Sequence, residues 1–163
     1  MKNIDSAFLD ALLESAKASD RMRMNCDMRT TPEDSSQRML NALLPGTEVP
    51  IHRHPMSNET VMCLRGKLVE ILYEEETPGT GFERGMDAQD VTNGRRLRET
   101  CRYVLEPAAG NYGCMVPPGV WHTVQVLEPS VIFEAKDGGY GKDGSEQWGW
   151  AMYIIGDRSF DIV

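Results

Sequence analysis

GTEVPIHRHPMSNETVMCLRG, residues 46–66, carries two of the three histidines in the chain, His52 and His54, one residue apart. In an extended strand, alternate side chains share a face, so both imidazoles point the same way; in a helix they would diverge. Pro55-Met56-Ser57-Asn58 offers a bend that can return Glu59 to the same interior, and strand parity then places Val61 and Cys63 inward as well. The third histidine, His122, follows Pro117-Pro118-Gly119, a rigid turn that can deliver the start of a strand to a barrel wall, with Val124 and Val126 on the same face. Three imidazoles and one carboxylate suit a single divalent transition metal, Zn first, then Fe, Mn or Ni, and suit Mg or Ca poorly.

Outward from this segment the texture is β. From Gln37 onward, short apolar or alternating runs are broken by Gly and Pro, the pattern of a sandwich or barrel. Strands are expected near 38–44, 49–54, 60–65, 67–74, 97–105, 112–116, 122–127 and 130–136. Leu64-Arg65-Gly66-Lys67 reads as a hairpin turn, with Gly66 supplying the positive φ. Residues 75–96, rich in Gly and charge, read as a long loop, and Glu74–Glu76 as a solvated strand end.

Upstream, Ile4, Phe8, Leu9, Leu12, Leu13 and Ala16 recur at three-to-four spacing behind Asp5 or Ser6, which predicts a capped amphipathic helix over 5–18. DRMRMNCDMRTTPEDSS, residues 20–36, lacks clean periodicity and reads as an extended arm or loop, and the methionines of RMRMNCDM and of QRMLN, which holds Met39, read as filling an irregular core under it. The expected organisation is a helix and arm, residues 1–36, packed on a barrel, residues 37–163.

Composition excludes several classes of function. The 163 residues hold 17 basic and 25 acidic side chains, a formal charge of -8, with no Lys/Arg run, which argues against nucleic acid as a partner. The longest apolar runs fall far short of the roughly 20 residues that span a bilayer, which argues against a membrane. The first twenty residues carry acids within their apolar stretch and lack a small-residue cleavage site, so a cytoplasmic location is expected. Cys26, Cys63, Cys101 and Cys114 form no CxxC and are expected as buried thiols.

Gly46, His52, His54, Glu59 and Gly66 together match G-x5-HxH-x3-4-E-x6-G, the first motif of the cupin superfamily, and the chain resembles that superfamily. Pro117, Gly119 and His122 match its second motif, G-x5-PxG-x2-H-x3-N, with Gly110 one residue early and Val126 in place of the terminal Asn. The resemblance implies a single-domain double-stranded β-helix (jelly-roll) barrel with a metal inside. SQRMLNALLPGTEVPIHRHP, ETVMCLRGKL, VPPGVWHTVQVLE and FEAKDGGY, after the RMRMN segment, look like the WbuC family of cupin-fold metalloproteins, which occurs with bacterial surface-polysaccharide genes. Arg29 stands where that family leads one to expect a histidine.

Around the metal, Glu134 and Arg38 are the candidate catalytic groups, since charged side chains within barrel strands must find partners or face solvent. Gln37, Cys63, Trp121 and Tyr140 are candidates for a substrate pocket, Cys63 being also a simple core filler. The expected function is a metal-dependent enzyme of isomerase, epimerase, hydrolase or oxygenase type, acting on a small, sugar-like molecule of bacterial surface-polysaccharide metabolism. The alternatives are a non-catalytic module that binds or senses a small ligand through the metal, and a purely structural metal. Exposed barrel edges make a homodimer the expected assembly.

Overall fold

The computed structural model describes residues 3–76, 91–92 and 95–149. One helix, α1 (Ser6–Lys17), precedes the strands β1 (Arg23–Asp27), β2 (Ser36–Leu43), β3 (His52–Arg53), β4 (Glu59–Arg65), β5 (Leu68–Glu76), β6 (Val91–Thr92), β7 (Arg95–Leu105), β8 (Gly113–Val116), β9 (Trp121–Val126), β10 (Ser130–Asp137) and β11 (Glu146–Gln147). They form two antiparallel sheets, ordered β1-β2-β10-β4-β8 and β11-β3-β9-β5-β7-β6. This is a mainly β, double-sheet barrel, as expected.

Asp5 caps α1: its Oδ1 accepts the Phe8 amide at 2.9 Å, satisfying one of the donors a helix start leaves unpaired. The apolar face of α1, Leu9, Leu12, Leu13 and Ala16, packs on Leu40, Ala42 and Val131, the outer face of β2 and β10. An ion pair from Arg65 to Asp10 ties the helix to the end of β4. Side chains of the opposite parity turn into the barrel, where Leu43, Val61, Cys63, Leu68, Leu105, Val126 and Ile132 fill the space between the sheets. Cys63, 2% exposed, directs its thiol to the Arg65 carbonyl at 3.2 Å, and burial raises its pKa; it is a core residue. Among the described residues, no helix is long and apolar enough to cross a membrane.

The structure corrects three local expectations. Within the arm, Arg23–Asp27 form a barrel strand, β1 pairing along β2 from Arg23↔Leu43 to Asp27↔Met39; Met22, Met24 and Met28 are exposed rather than core-filling, whereas Met39 is buried as expected. The span 49–54 contains only a two-residue strand, His52–Arg53, because Pro50 cannot donate to a ladder. The Leu64–Lys67 turn is not a hairpin: β4 pairs β10 and β8, whereas β5 pairs β7 and β9, so the turn carries the chain from one sheet to the other.

Glu74–Glu76 form the solvated end of β5, as expected, and Glu75 and Glu76 pair with Leu97 and Arg96, so the expected 75–96 loop begins later than its first two residues. Glu74, Glu75 and Glu76 make cross-strand ion pairs with Arg98, Arg95 and Arg96. The rest of the expected 75–96 loop, apart from β6 and the start of β7, lies outside the described residues, as does the chain from 150 on.

Candidate metal centre

His52 and His122 are cross-strand partners, β3 to β9, with ring centroids 4.2 Å apart. His54 lies just past β3, its carbonyl accepting the Gly119 amide at 2.9 Å, which joins the HxH segment to the Pro-Pro-Gly turn. Its ring centroid is 5.0 Å from that of His52 and 5.3 Å from that of His122. Glu59 opens β4 and faces them from the other sheet. One ligand atom from each of the four residues falls within 4.8 Å of the others, and His54, Glu59 and His122 are 2%, 5% and 1% exposed. The spacing of the two motifs thus brings together the four residues named from the sequence.

The hydrogen-bond partners assign the tautomers. His52 Nδ1 lies 2.9 Å from the Pro50 carbonyl, and His122 Nδ1 lies 2.9 Å from the Val120 carbonyl; each of these nitrogens must carry the proton, because a carbonyl can only accept. His54 Nδ1 lies 2.7 Å from Ser145 Oγ, whose own hydroxyl donates to Asp143 Oδ2 at 2.7 Å, so this Nδ1 donates too. In the neutral rings this leaves all three Nε2 atoms as lone pairs, that of His54 also facing the Lys136 ammonium at 3.0 Å. Yet Glu59 Oε2 lies 2.9 Å from His122 Nε2 and 3.3 Å from His54 Nε2, acceptor facing acceptor. A divalent cation among them relieves that repulsion, so the donor set fits a metal.

The electrostatics agree. Burial and the neighbouring His122 push His52 down to about 3, leaving a neutral imidazole at neutral pH.

Behind His54 stands a network with no counterpart among the sequence motifs, in the glycine-rich loop after β10. Asp143 accepts from Ser145, from Gln37 Nε2 at 3.1 Å and from Lys136 Nζ at 3.0 Å, while Lys136 Nζ also lies 3.0 Å from both ring nitrogens of His54. Burial would raise the Asp143 carboxyl, but Ser145 and the Lys136 ammonium bring it down to about 2. Asp143 thus holds the hydroxyl that orients His54 and holds the ammonium beside it. Asp143→Ala is expected to weaken metal binding by roughly 10- to 100-fold, the usual loss for an outer partner of a ligand histidine, measured by competition with a chelator.

A cavity of about 60 Å³ opens beside the four ligands, with room for several water molecules. Its lining includes His52, Glu59 and His122, the apolar Leu43, Val61 and Val124, and two further carboxyls, Glu134 and Glu70, with Arg23 and Gln147 also on the lining. Glu134 was expected there; Asn41 Nδ2 donates to its Oε2 at 2.8 Å, and burial together with Glu59 raises its carboxyl well above the usual range. Gln37 lines a smaller adjoining pocket with Met39, Glu59, Glu134 and Lys136.

Besides Cys63 in the core, three candidates lie elsewhere. Arg38 is on the outer face of β2, bonded to Ser36 and paired with Asp34. Trp121 is 4% exposed but does not line the cavity; it packs against Trp148 and under the Arg53 guanidinium. Tyr140 lies under Arg29, which is paired with Asp27. Glu70, which sequence reasoning missed, is the only charged residue in Leu68–Leu72 and shares inward parity with Leu68 and Leu72; that was the available signal.

A family model described as a domain of unknown function, DUF6016, matches residues 4–81, just under half of the chain. No curated protein matches the sequence. Among solved structures, the chain is similar to an uncharacterised conserved protein with a double-stranded β-helix domain from Klebsiella pneumoniae (17% identity, TM-score 0.50, covering 92% of this chain and 100% of that one). It is also similar to a chain from the crystal structures of the DMSP lyases RdDddP and RnDddQII (16% identity, TM-score 0.50, covering 77% and 52%). A third likeness is to the cupin domain of Schizosaccharomyces pombe Cnp3 (11% identity, TM-score 0.47, covering 71% and 64%). The chain spans less than two thirds of the length of the last two. The fold is a double-stranded β-helix, and it carries a cluster of three histidines and one glutamate that could hold a metal.

Proposed function

We propose that the chain is a metal-dependent cupin enzyme acting on a small polar molecule, with His52, His54, Glu59 and His122 as the ligands of one divalent ion, Zn first, then Fe, Mn or Ni. The observation that carries this reading is the convergence of three Nε2 lone pairs and one carboxylate within 4.8 Å, each Nδ1 being tied to an outer partner. A bound divalent ion would supply Lewis-acid polarisation of a carbonyl or hydroxyl oxygen. Glu134, held by Asn41 and kept in its acid form by burial, supplies a proton to a group bound in the cavity. The apolar lining limits the water that reaches it. Isomerisation, epimerisation or hydrolysis fits Zn, and oxygenation fits Fe. The resemblance to the WbuC family directs the substrate search to carbohydrate derivatives of bacterial surface polysaccharides, in the cytoplasm.

Binding or sensing without turnover is the alternative, and Glu134 in the cavity favours catalysis over it. Two measurements test the proposal. Azide added to cobalt-loaded protein is expected to change the visible spectrum, reporting an open coordination position. Metal-loaded wild type is expected to convert a member of a pool of hydroxylated sugar derivatives, followed by NMR, with Glu134→Gln slower by about 100-fold or more. Metal-loaded protein that neither responds to azide nor turns over any of the pool would overturn the enzyme reading in favour of a structural metal. Metal-dependent binding without turnover would replace it with the sensing reading.

A further inference from the structure

Glu70 is 1% exposed, and neither of its carboxyl oxygens has a hydrogen-bond partner among the described residues. It is the third residue of β5, opposite Val124 of β9 and Tyr103 of β7, and lines the cavity from the sheet that carries His52 and His122. Glu134 lines the same cavity from the other sheet, with Oε2 occupied by Asn41. A buried carboxyl without partners is destabilising by about 1–3 kcal/mol, more if it is charged. Val or Leu at this position would fill the same space at no such cost. Among the described residues nothing bonds to the Glu70 oxygens, and both belong to a side chain that faces a cavity beside a cluster able to hold a metal.

We propose that Glu70, with Glu134 across the cavity, forms a binding subsite for a small uncharged hydroxylated ligand, whose hydroxyl groups bond to the two carboxyls while one of its oxygens reaches the metal position. The subsite rests on the metal reading above and specifies the chemistry of its substrate. The choice of hydroxyl follows from what surrounds the two groups. Glu59, Glu70 and Glu134 line one cavity together with Arg23, so a ligand of either charge meets a group of its own kind there as well as a complementary one. Lys136 already supplies an ammonium on the Glu134 side, in the adjoining pocket, which leaves less for a cationic ligand to neutralise. Burial raises the Glu70 carboxyl well above the usual range, toward the acid form, in which a carboxyl carries one O–H donor and one C=O acceptor. A hydroxyl group also donates and accepts. Leu43, Val61 and Val124 give the C–H surface of such a ligand an apolar wall.

The test uses zinc-loaded full-length protein titrated with dihydroxyacetone, with acetate and ethylammonium as anionic and cationic comparators of similar size. Metal content is measured in every sample. Wild type is expected to bind dihydroxyacetone in preference to both ions. Glu70→Leu is expected to keep its zinc, to keep or raise its Tm, and to bind dihydroxyacetone roughly tenfold more weakly. Glu70→Gln, which keeps a neutral donor and acceptor, is expected to bind within about threefold of wild type.

Four results would overturn the subsite: no dihydroxyacetone binding by zinc-loaded wild type, unchanged binding in zinc-loaded Glu70→Leu, preference for acetate or ethylammonium, or a loss in Glu70→Gln equal to that in Glu70→Leu. A fall in Tm for both variants with ligand binding intact would assign Glu70 a structural role and overturn it too. Wild type that takes up no zinc instead overturns the metal reading, and with it the site on which the subsite depends; the metal analysis separates that failure from the other five.

Discussion

His54→Ala is expected to abolish the thermal stabilisation that a divalent metal gives the wild-type chain. A ligand that binds only the folded state at about a thousand times its Kd adds about 4 kcal/mol of stability. For a chain of this size, that is a rise in Tm of roughly 8–16 °C. His54 is the ligand to remove because its surroundings serve only to aim it: Ser145 accepts its Nδ1 proton, Asp143 holds Ser145, and the His54 carbonyl anchors the Gly119 amide whatever the side chain. The backbone link therefore survives the substitution, while one of the four donors is lost. Differential scanning calorimetry with and without zinc reads the effect. Glu59→Gln removes the only anionic ligand of the four and is expected to behave the same way, so the prediction does not depend on one variant remaining folded. A metal-induced rise in Tm that persists in both variants would place the metal elsewhere.

Gly66→Ala is expected to cost about 4 kcal/mol or more, enough to unfold a marginal domain. Gly66 has φ +85°, where an L residue costs roughly 1–2 kcal/mol. A Cβ there would also stand 2.2 Å from the Pro129 carbonyl oxygen and 2.8 Å from Ser130 Cα, both backbone atoms that cannot turn aside. The crowding arises because this turn carries the chain between the sheets against the start of β10. Gly119 provides the control: its φ is +77°, but nothing lies within 4 Å of an added Cβ, so Gly119→Ala is expected to cost only the conformational term of about 1–2 kcal/mol. Urea unfolding of the two variants compares them directly. Equal losses would mean that the corner at Gly66 is not packed as described.

The metal cluster was legible in the sequence because strand parity and two fixed turns determine it. His52 and His54 share a face, Glu59 returns to it through four residues, and His122 follows a Pro-Pro-Gly turn. The same parity correctly placed Val61, Cys63, Val124 and Val126 inward. Applied strictly, it also turns Trp121 away from the cavity, since Trp121 neighbours His122; the aromatic character of Trp121 had suggested otherwise.

The faces of β2 were harder to read. Met39, Leu40, Ala42 and Leu43 are all buried, because α1 covers the outer face while the barrel interior covers the inner, and hydrophobicity then gives no parity to separate Gln37 from Arg38. At Gly66, a positive φ serves a hairpin and a sheet-to-sheet corner equally well, so turn chemistry alone could not tell which strands would pair. The Asp143–Ser145 support of His54 comes from a glycine-rich loop without periodicity, and only the folded chain reveals it.

The central claim is that His52, His54, Glu59 and His122 hold one divalent metal ion. Elemental analysis of untagged protein, purified without chelator, tests it most directly, with His54→Ala and Glu59→Ala prepared in parallel. Near-stoichiometric metal in wild type, lost in both variants, is the predicted result, and the element found selects the chemistry to assay: zinc for isomerisation, epimerisation or hydrolysis, iron for oxygen-dependent reactions. Wild-type protein that carries no metal, and takes up none on reconstitution with zinc, iron, manganese or nickel, would contradict the claim.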